Sequence, residues 1–159
     1  MGIFNAIFGG HSRDCHVCKA EIKYPESKPL PSICPTCQTD LENPALETTL
    51  HDMQAYVFKK FLDPDHGEAF VTNKRIFFVV RNQTDDDDIV YRQATDMRAQ
   101  RVSVDIPLDD IARIEDRKKL IFYTGLTIHT KSGKSIDLFI TLTKDLNTLK
   151  EFITSYISK

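Results

Sequence analysis

Four cysteines in the first quarter of the chain are the residues best suited to chemistry. They form two C-x-x-C pairs, Cys15 with Cys18 and Cys34 with Cys37, and fifteen residues separate the pairs. Two cysteines on one tight turn present both sulfurs to a single ion, so two such turns complete a tetrahedron of thiolates. The spacing therefore predicts one structural Zn²⁺, because four thiolates leave no coordination position for water or substrate.

Other uses of these cysteines are open. Two disulfides would require an oxidising compartment, and the sequence shows no charged-then-apolar leader. A redox C-x-x-C pair is expected beside a β-α-β pattern, which the sequence does not show. His16 could replace a cysteine as a ligand, but an adjacent residue on the same turn usually points away from the metal. We expect four cysteine ligands, with His16 a bystander.

The composition is typical of a folded, water-soluble protein. The 159 residues are 41% hydrophobic and 28% charged, and the net charge is −2. This balance argues against a generally basic nucleic-acid binder, although a local basic patch is compatible with it. No apolar run approaches the ~18 residues that a membrane-spanning helix needs. We expect a cytoplasmic protein, with peripheral membrane contact as an additional possibility.

The N-terminal half divides into three predicted segments. Residues 1–10 form a flexible or amphipathic N-terminus, which would contact a membrane only through a short apolar face. Residues 11–42 hold the cysteines, and their prolines suit a loop-rich metal module. Asn43 and Pro44 read as the start of a helix, and apolar residues follow at helical spacing. Residues 43–62 are therefore predicted to be a linking helix, with this stripe: Leu46, Leu50, Met53, Val57 and Phe61.

From Glu68 onward the apolar period changes to two, as in β-strands. Tight turns are predicted at Asn73-Lys74 and Ser132-Gly133, each joining two strands of a hairpin. About seven strands precede one amphipathic C-terminal helix, which Thr143 can cap. The predicted fold class is α+β: a small zinc module plus a mostly antiparallel β-sandwich or partly open barrel, over residues 63–159, closed by that helix.

Residues 67–78, which read GEAFVTNKRIFF, are similar to the recurring hairpin of GRAM domains, a pleckstrin-homology-like (PH-like) family. Residues 104–111, VDIPLDDI, resemble the segment that this family places before its second sheet, and the terminal helix agrees. The cysteine module resembles a zinc ribbon, with Lys19 and Gln38 where many ribbons have glycine. The resemblance covers residues 64–159 and implies a non-catalytic module that binds phosphoinositides, other membrane lipids or peptides.

Lipid-binding members of that family gather cations at turns, and three predicted turns carry them here. They could converge on one phosphate-bearing headgroup, or they could be solvated turns at opposite ends of the sheet. We favour the second arrangement because the domain is not basic overall. The candidate ligand-binding residues are Lys74, Arg75, Arg117, Lys118, Lys119, Lys131 and Lys134.

The chain shows no credible catalytic constellation, since its five histidines are scattered and no phosphate-binding glycine loop is present. We therefore expect a non-catalytic zinc-containing adaptor, whose partner is a membrane lipid or an unknown protein. One alternative is a nucleic-acid-associated factor acting through the zinc ribbon, which the near balance of charge in residues 11–42 disfavours. Another is a structural homo-oligomer that pairs through exposed sheet edges. We expect the two modules to unfold independently.

Overall fold

The computed structural model describes residues 10–60, 63–81 and 101–158, and it contains two antiparallel sheets. The small sheet pairs two strands, β1 (Gly10–Asp14) and β2 (Glu21–Pro25). The large sheet has seven strands in the order β6-β5-β4-β3-β9-β8-β7. Its elements are β3 (Thr49–Lys60), β4 (Asp63–Thr72), β5 (Arg75–Val80), β6 (Arg101–Pro107), β7 (Ile111–Lys119), β8 (Tyr123–Thr130) and β9 (Ser135–Ile140), followed by helix α1 (Thr143–Ile157).

Both predicted hairpins are confirmed. β4 and β5 flank Asn73-Lys74, and β8 and β9 flank a turn in which Gly133 has a φ of 88°, a conformation that favours glycine. The terminal helix also agrees with the sequence. The described residues from Asp63 onward form six strands rather than the predicted seven, and the seventh strand of the large sheet is β3, which precedes them. Thr143 was predicted to cap this helix. It is instead the first helical residue, and Leu142 occupies the cap position.

The predicted linking helix is wrong, since most of residues 43–62 form strand β3. Met53 and Ala55 are buried while Asp52 and Gln54 are exposed, so the burial period is two. A spacing of four, as between Met53 and Val57, places residues on one face of a helix and equally on one face of a strand, which made that part of the stripe ambiguous. The segment is a strand because it pairs with both β4 and β9. Leu46 and Leu50, which the helix would have buried, are exposed.

The main core lies on the concave face of the large sheet. Alternate residues of the strands point into it, and Leu146, Leu149 and Ile153 of α1 cover it. The edge strands β6 and β7 are not paired with each other, so the sheet is a half-barrel rather than a closed barrel. None of the helices in the described ranges has the length and apolar character needed to cross a bilayer.

A second core joins the metal module to the opposite face of the same sheet. Phe70, Phe77 and Val79 of β4 and β5 are fully buried there. They pack with the cysteines and with Val17, Ile22 and Leu41 of the metal module. The rings of Phe70 and Phe77 are stacked, with centroids 5.2 Å apart. The two modules are therefore joined by a common apolar interior as well as by the chain.

One sequence-based expectation lies almost wholly outside the described residues. The flexible or amphipathic N-terminus falls almost wholly within residues 1–9, and the chain between residues 82 and 100 is likewise not described. The ends of the half-barrel considered below are formed by hairpins within the described ranges.

Candidate metal centre

Each C-x-x-C pair lies on the same kind of backbone turn. The amide of Lys19 donates to the carbonyl of Cys15 at 3.0 Å, and the amide of Gln38 donates to the carbonyl of Cys34 at 2.9 Å. Lys19 and Gln38 have φ angles of 59° and 62°, in the left-handed region that favours glycine. The chain thus builds two equivalent knuckles without the glycines that many zinc ribbons have at these positions.

The knuckles bring four sulfur atoms together in the protein interior. All four lie within 4.8 Å of one another, and the Sγ–Sγ distances are 3.7 Å for Cys15–Cys37 and 3.7 Å for Cys18–Cys34. A tetrahedral zinc with Zn–S bonds of about 2.3 Å requires ligand sulfurs about 3.8 Å apart. Each cysteine is at most 1% exposed. The cluster could hold a metal ion, and both its donor set and its spacing fit Zn²⁺.

The ionisation of the cluster also favours a bound cation. Hydrogen bonds with Cys18, Cys34 and Cys37 hold the pKa of Cys15 far below its usual range. Hydrogen bonds with Cys15 and the other two thiols raise the pKa of Cys18 far above its usual range. One of the four thiols therefore loses its proton easily. The last thiol must ionise beside thiolates that are already negatively charged, and a divalent cation would neutralise that charge.

Contacts with strand β3 fasten the first knuckle. The hydroxyl of Thr49 donates to the carbonyl of Val17 at 2.8 Å, and Lys19 forms an ion pair with Asp52. His16 points away from the sulfurs, with its Nε2 atom 3.2 Å from the backbone oxygen of Glu47. The geometry agrees with the prediction that His16 is a bystander.

Two arginines at the ends of β5 hold the knuckles against the large sheet. Nη2 of Arg75 donates to the carbonyl of Cys37 at 2.6 Å, and Nη2 of Arg81 donates to the carbonyl of Cys18 at 3.2 Å. Sequence reasoning did not single out Arg81. The sequence did contain a signal for Arg81. It lies six positions after Arg75, and an even spacing along a strand places both arginines on the face that carries Phe77.

Arg75 also forms the main buried ion pair at this junction. Its Nε lies 2.8 Å from Oε1 of Glu47, and its Nη1 lies 2.7 Å from Oδ2 of Asp105. Glu47 accepts further hydrogen bonds from Thr39 and Thr72. Burial raises the pKa of Glu47, but the hydrogen bond and charge of Arg75 outweigh it, so the net pKa lies below the ordinary 4.5. Arg75 is therefore engaged inside the protein, beside the metal centre.

The three predicted basic turns do not converge on one site. The turn that carries Lys74 and the turn that carries Lys131 both contact the Leu108–Asp110 segment, through backbone hydrogen bonds of 2.9 Å and 2.6 Å. Lys134 belongs to the same turn as Lys131. Arg117, Lys118 and Lys119 lie at the other end of β8, whose eight residues span about 25 Å. Two of the three turns therefore lie at one end of the sheet, and the third lies at the other end.

One further row of polar side chains crosses the outer face of β7, β8 and β9. His129 has Nδ1 2.8 Å from Oγ of Ser135 and Nε2 3.2 Å from Oε2 of Glu115. His129 and Ser135 are directly paired in the strand register, and cross-strand neighbours on one face meet at such distances whatever their chemistry. The strand register alone accounts for the proximity of His129 and Ser135.

Comparisons with known proteins give a fold but no function. No family model matches the sequence, and no curated protein matches it. The C-terminal domain of an unknown protein from Leishmania infantum is similar in structure, with a TM-score of 0.50 and 17% identity over 72% of this chain and 88% of that one. The DH/PH domains of p115-RhoGEF match with a TM-score of 0.46 and 6% identity, over 71% of this chain and 31% of that one. The first similarity indicates a shared fold, and a fold does not determine a ligand.

Proposed function

We propose that this protein is a non-catalytic, zinc-stabilised adaptor whose PH-like half-barrel binds anionic lipid headgroups at a membrane surface. The observation that carries the proposal is the placement of cations on hairpin turns. Among the seven candidate residues, these five are exposed on a hairpin turn or on the strand end beside one: Lys74, Arg117, Lys118, Lys131 and Lys134. Cations on projecting turns can reach lipid phosphates without bringing the rest of an acidic protein close to the membrane. The GRAM-like hairpin in the sequence agrees with such a role.

The metal centre supports the adaptor reading rather than an enzymatic one. Four cysteine ligands would close the coordination sphere of Zn²⁺, and the cluster is buried beneath β4 and β5. Zinc held in this way contributes folding energy and offers no open position to a substrate. We propose that the zinc ion holds the metal module against the half-barrel.

Nucleic-acid binding through the metal module has weaker support. Lys19 and Lys23 are two of its four cations, and both are neutralised, by Asp52 and Glu21. Little charge remains there to replace the counterions of a phosphate backbone. We therefore expect binding to DNA or RNA to be negligible at physiological salt.

Pairing between sheet edges, as in a homo-oligomer or a bound peptide strand, is also disfavoured. The edge strand β7 carries charged residues along its length, among them Arg113, Glu115 and Arg117. Charged side chains on an edge oppose the addition of another strand. Light scattering on the purified chain at high concentration should show a monomer.

Vesicle co-sedimentation tests the membrane proposal directly. The full chain should bind vesicles that contain phosphatidylserine and should not bind phosphatidylcholine alone. Binding should weaken between about 0.1 M and about 1 M salt, where the Debye length falls from ~10 Å to ~3 Å. A chain lacking residues 1–10 should bind equally well, because the cations lie on the half-barrel. Failure of the full chain to bind the anionic vesicles would refute the proposal and favour a protein partner.

A further inference from the structure

The turn between β7 and β8 is unusually apolar for a solvent-exposed turn. It consists of Leu120, Ile121 and Phe122, here named the apolar tip, which are 50%, 91% and 84% exposed. Tight turns are normally built from glycine, asparagine, aspartate, serine and proline. The β4–β5 and β8–β9 turns follow that rule, with Asn73-Lys74 and Ser132-Gly133. The β7–β8 turn does not, so its composition requires another explanation.

The backbone of the apolar tip carries a cost that a polar turn residue would avoid. Leu120 has a φ of 56°, in the left-handed region where glycine or asparagine is favoured. A leucine at such a position gains only part of the stabilisation that full burial would give, because half of it is exposed. A left-handed residue with this little compensation from burial is consistent with a functional role for its side chain.

An aromatic cluster holds the base of this turn. The ring of Tyr123 contacts the rings of Phe58 and Tyr56, with centroids 5.1 Å and 5.5 Å apart. Nζ of Lys119 lies 3.8 Å from the centroid of the Phe58 ring. Lys119 and Tyr123 are the last paired residues of the hairpin. These contacts pack the base of the β7–β8 turn, and the apolar tip projects beyond it.

Cations immediately precede the apolar tip. Arg117, Lys118 and Lys119 are consecutive, and Arg117 and Lys118 are exposed. The neighbouring acids are compensated, since Asp137 lies 3.2 Å from Nε of Arg117 and Asp116 lies 2.7 Å from Nζ of Lys150. Arg117 is itself compensated by Asp137, and Lys118 supplies an exposed positive charge beside the apolar end.

We propose that the apolar tip inserts into the interface of an anionic bilayer while Lys118 contacts the lipid phosphates. An apolar group beside an exposed cation is complementary to a bilayer, whose anionic headgroups overlie an apolar interior. A three-residue tip is far smaller than the ~800 Å² that each partner buries in a typical protein interface, so a bilayer fits better than a folded partner. This inference rests on the proposed membrane function and assigns it to one end of β8.

Vesicle binding by paired variants tests the insertion. In the full chain, the double variant Ile121→Ser with Phe122→Ser should bind phosphatidylserine-containing vesicles at least about tenfold more weakly, because two large side chains no longer leave water. Leu46→Ser removes an apolar side chain that is 52% exposed outside the half-barrel, and it should change the affinity less than about twofold. Lys118→Gln should weaken binding about fivefold, as expected for one cation near the membrane surface. Unchanged melting temperatures would show that each variant folds.

A fluorescence measurement detects the inserted side chain itself. The chain contains no tryptophan, so Phe122→Trp introduces a single reporter. Its emission should shift to shorter wavelength with anionic vesicles and should be quenched by lipids brominated on their acyl chains. The matched reporter Leu46→Trp should do neither. Vesicle binding without a change at position 122 would overturn the insertion.

Charge variants at the opposite end of β8 separate this inference from the broader proposal. Lys131 and Lys134 lie about 25 Å from the apolar tip, beyond the ~10 Å Debye length at 0.1 M salt, so Lys131→Gln with Lys134→Gln should weaken vesicle binding less than Lys118→Gln alone does. If these substitutions abolish binding and the tip variant does not, the protein binds membranes through its other end and the insertion is refuted. If the unmodified chain does not bind anionic vesicles at all, both the insertion and the membrane function are refuted.

Discussion

Nη2 of Arg75 lies 2.6 Å from the carbonyl oxygen of Cys37, so a strand of the half-barrel is hydrogen-bonded directly to the backbone of the metal centre. Arg81 makes the equivalent bond to Cys18 from the other end of the same strand. The apolar residues between these two arginines complete the contact, because Phe77 and Val79 are fully buried against the metal module. Metal binding and the stability of the half-barrel are therefore expected to be coupled.

Replacement of Arg75 should destabilise the whole chain. Arg75→Gln leaves the carboxylate of Glu47, whose side chain is 9% exposed, without its charged partner. Removing one member of a buried ion pair costs about 3 kcal/mol, which denaturant titration of the zinc-loaded protein would measure as a lower midpoint. Arg117→Gln is the matched control, because its ion pair with Asp137 is mostly exposed and should contribute less than about 1 kcal/mol. Equal effects of the two substitutions would contradict the assigned role of Arg75.

Removal of the metal should expose the shared core. The purified chain should contain one zinc ion, and treatment with a strong chelator or the substitution Cys34→Ser should uncover Phe70 and Phe77. We expect greater binding of a hydrophobic dye and a single thermal transition at lower temperature, in which both modules take part. An unchanged transition of the half-barrel after zinc loss would show that the modules fold independently, as the sequence alone suggested.

The features that sequence reasoning predicted correctly depend on local signals. The two C-x-x-C pairs place their sulfurs through the geometry of short turns, and the strands beside Asn73-Lys74 follow from alternation and turn chemistry. The apolar stripe that predicts the C-terminal helix is also a local signal, because it repeats every three to four residues. Each of these features is determined within a few residues of chain.

The features that it missed depend on distant partners. Arg75 was assigned to ligand binding because it follows a turn, yet its partner Glu47 is 28 positions away. Strand β3 was taken for a helix because its spacing suits both structures, and only pairing with β4 and β9 resolves it. The apolar tip was taken for part of one of the predicted short strands, because a run such as Leu120-Ile121-Phe122 normally indicates a buried strand. Exposure is a property of the folded chain and cannot be read from that run.

The contribution of Glu47 to stability should depend on pH. Its pKa is lowered in the folded state, so the ion pair stabilises the protein above the ordinary value of 4.5 and this stabilisation is lost as pH falls through the folded pKa. The free energy of unfolding should therefore differ most between the unmodified chain and Glu47→Gln at neutral pH, and least in acid. Protonation of the zinc ligands affects both chains and cancels in the difference. A difference that stays constant between neutral pH and pH below 4.5 would rule out the charged pair as its source.

The backbone conformation of the second knuckle predicts that one substitution there will stabilise the protein, at a residue that is not a metal ligand. Gln38 has a φ of 62° and an exposed side chain, whose single hydrogen bond to the carbonyl of Pro35 is 3.3 Å long. Gln38→Gly should relieve the left-handed conformation and raise the free energy of unfolding by about 1 kcal/mol, whereas the β-branched Gln38→Val should lower it by about as much.

The same change at an ordinary strand position supplies the control for this prediction. Gln54 is an exposed residue of β3 with regular strand pairing, so Gln54→Gly should destabilise the protein by about 0.5–1 kcal/mol. Denaturant titrations of the zinc-loaded variants would measure all three changes under one condition. If Gln38→Gly destabilises the protein as much as Gln54→Gly does, the left-handed turn is not the conformation of the second knuckle in solution. Because the two knuckles share this turn, the same result would also remove the basis for the sulfur spacing that fits zinc.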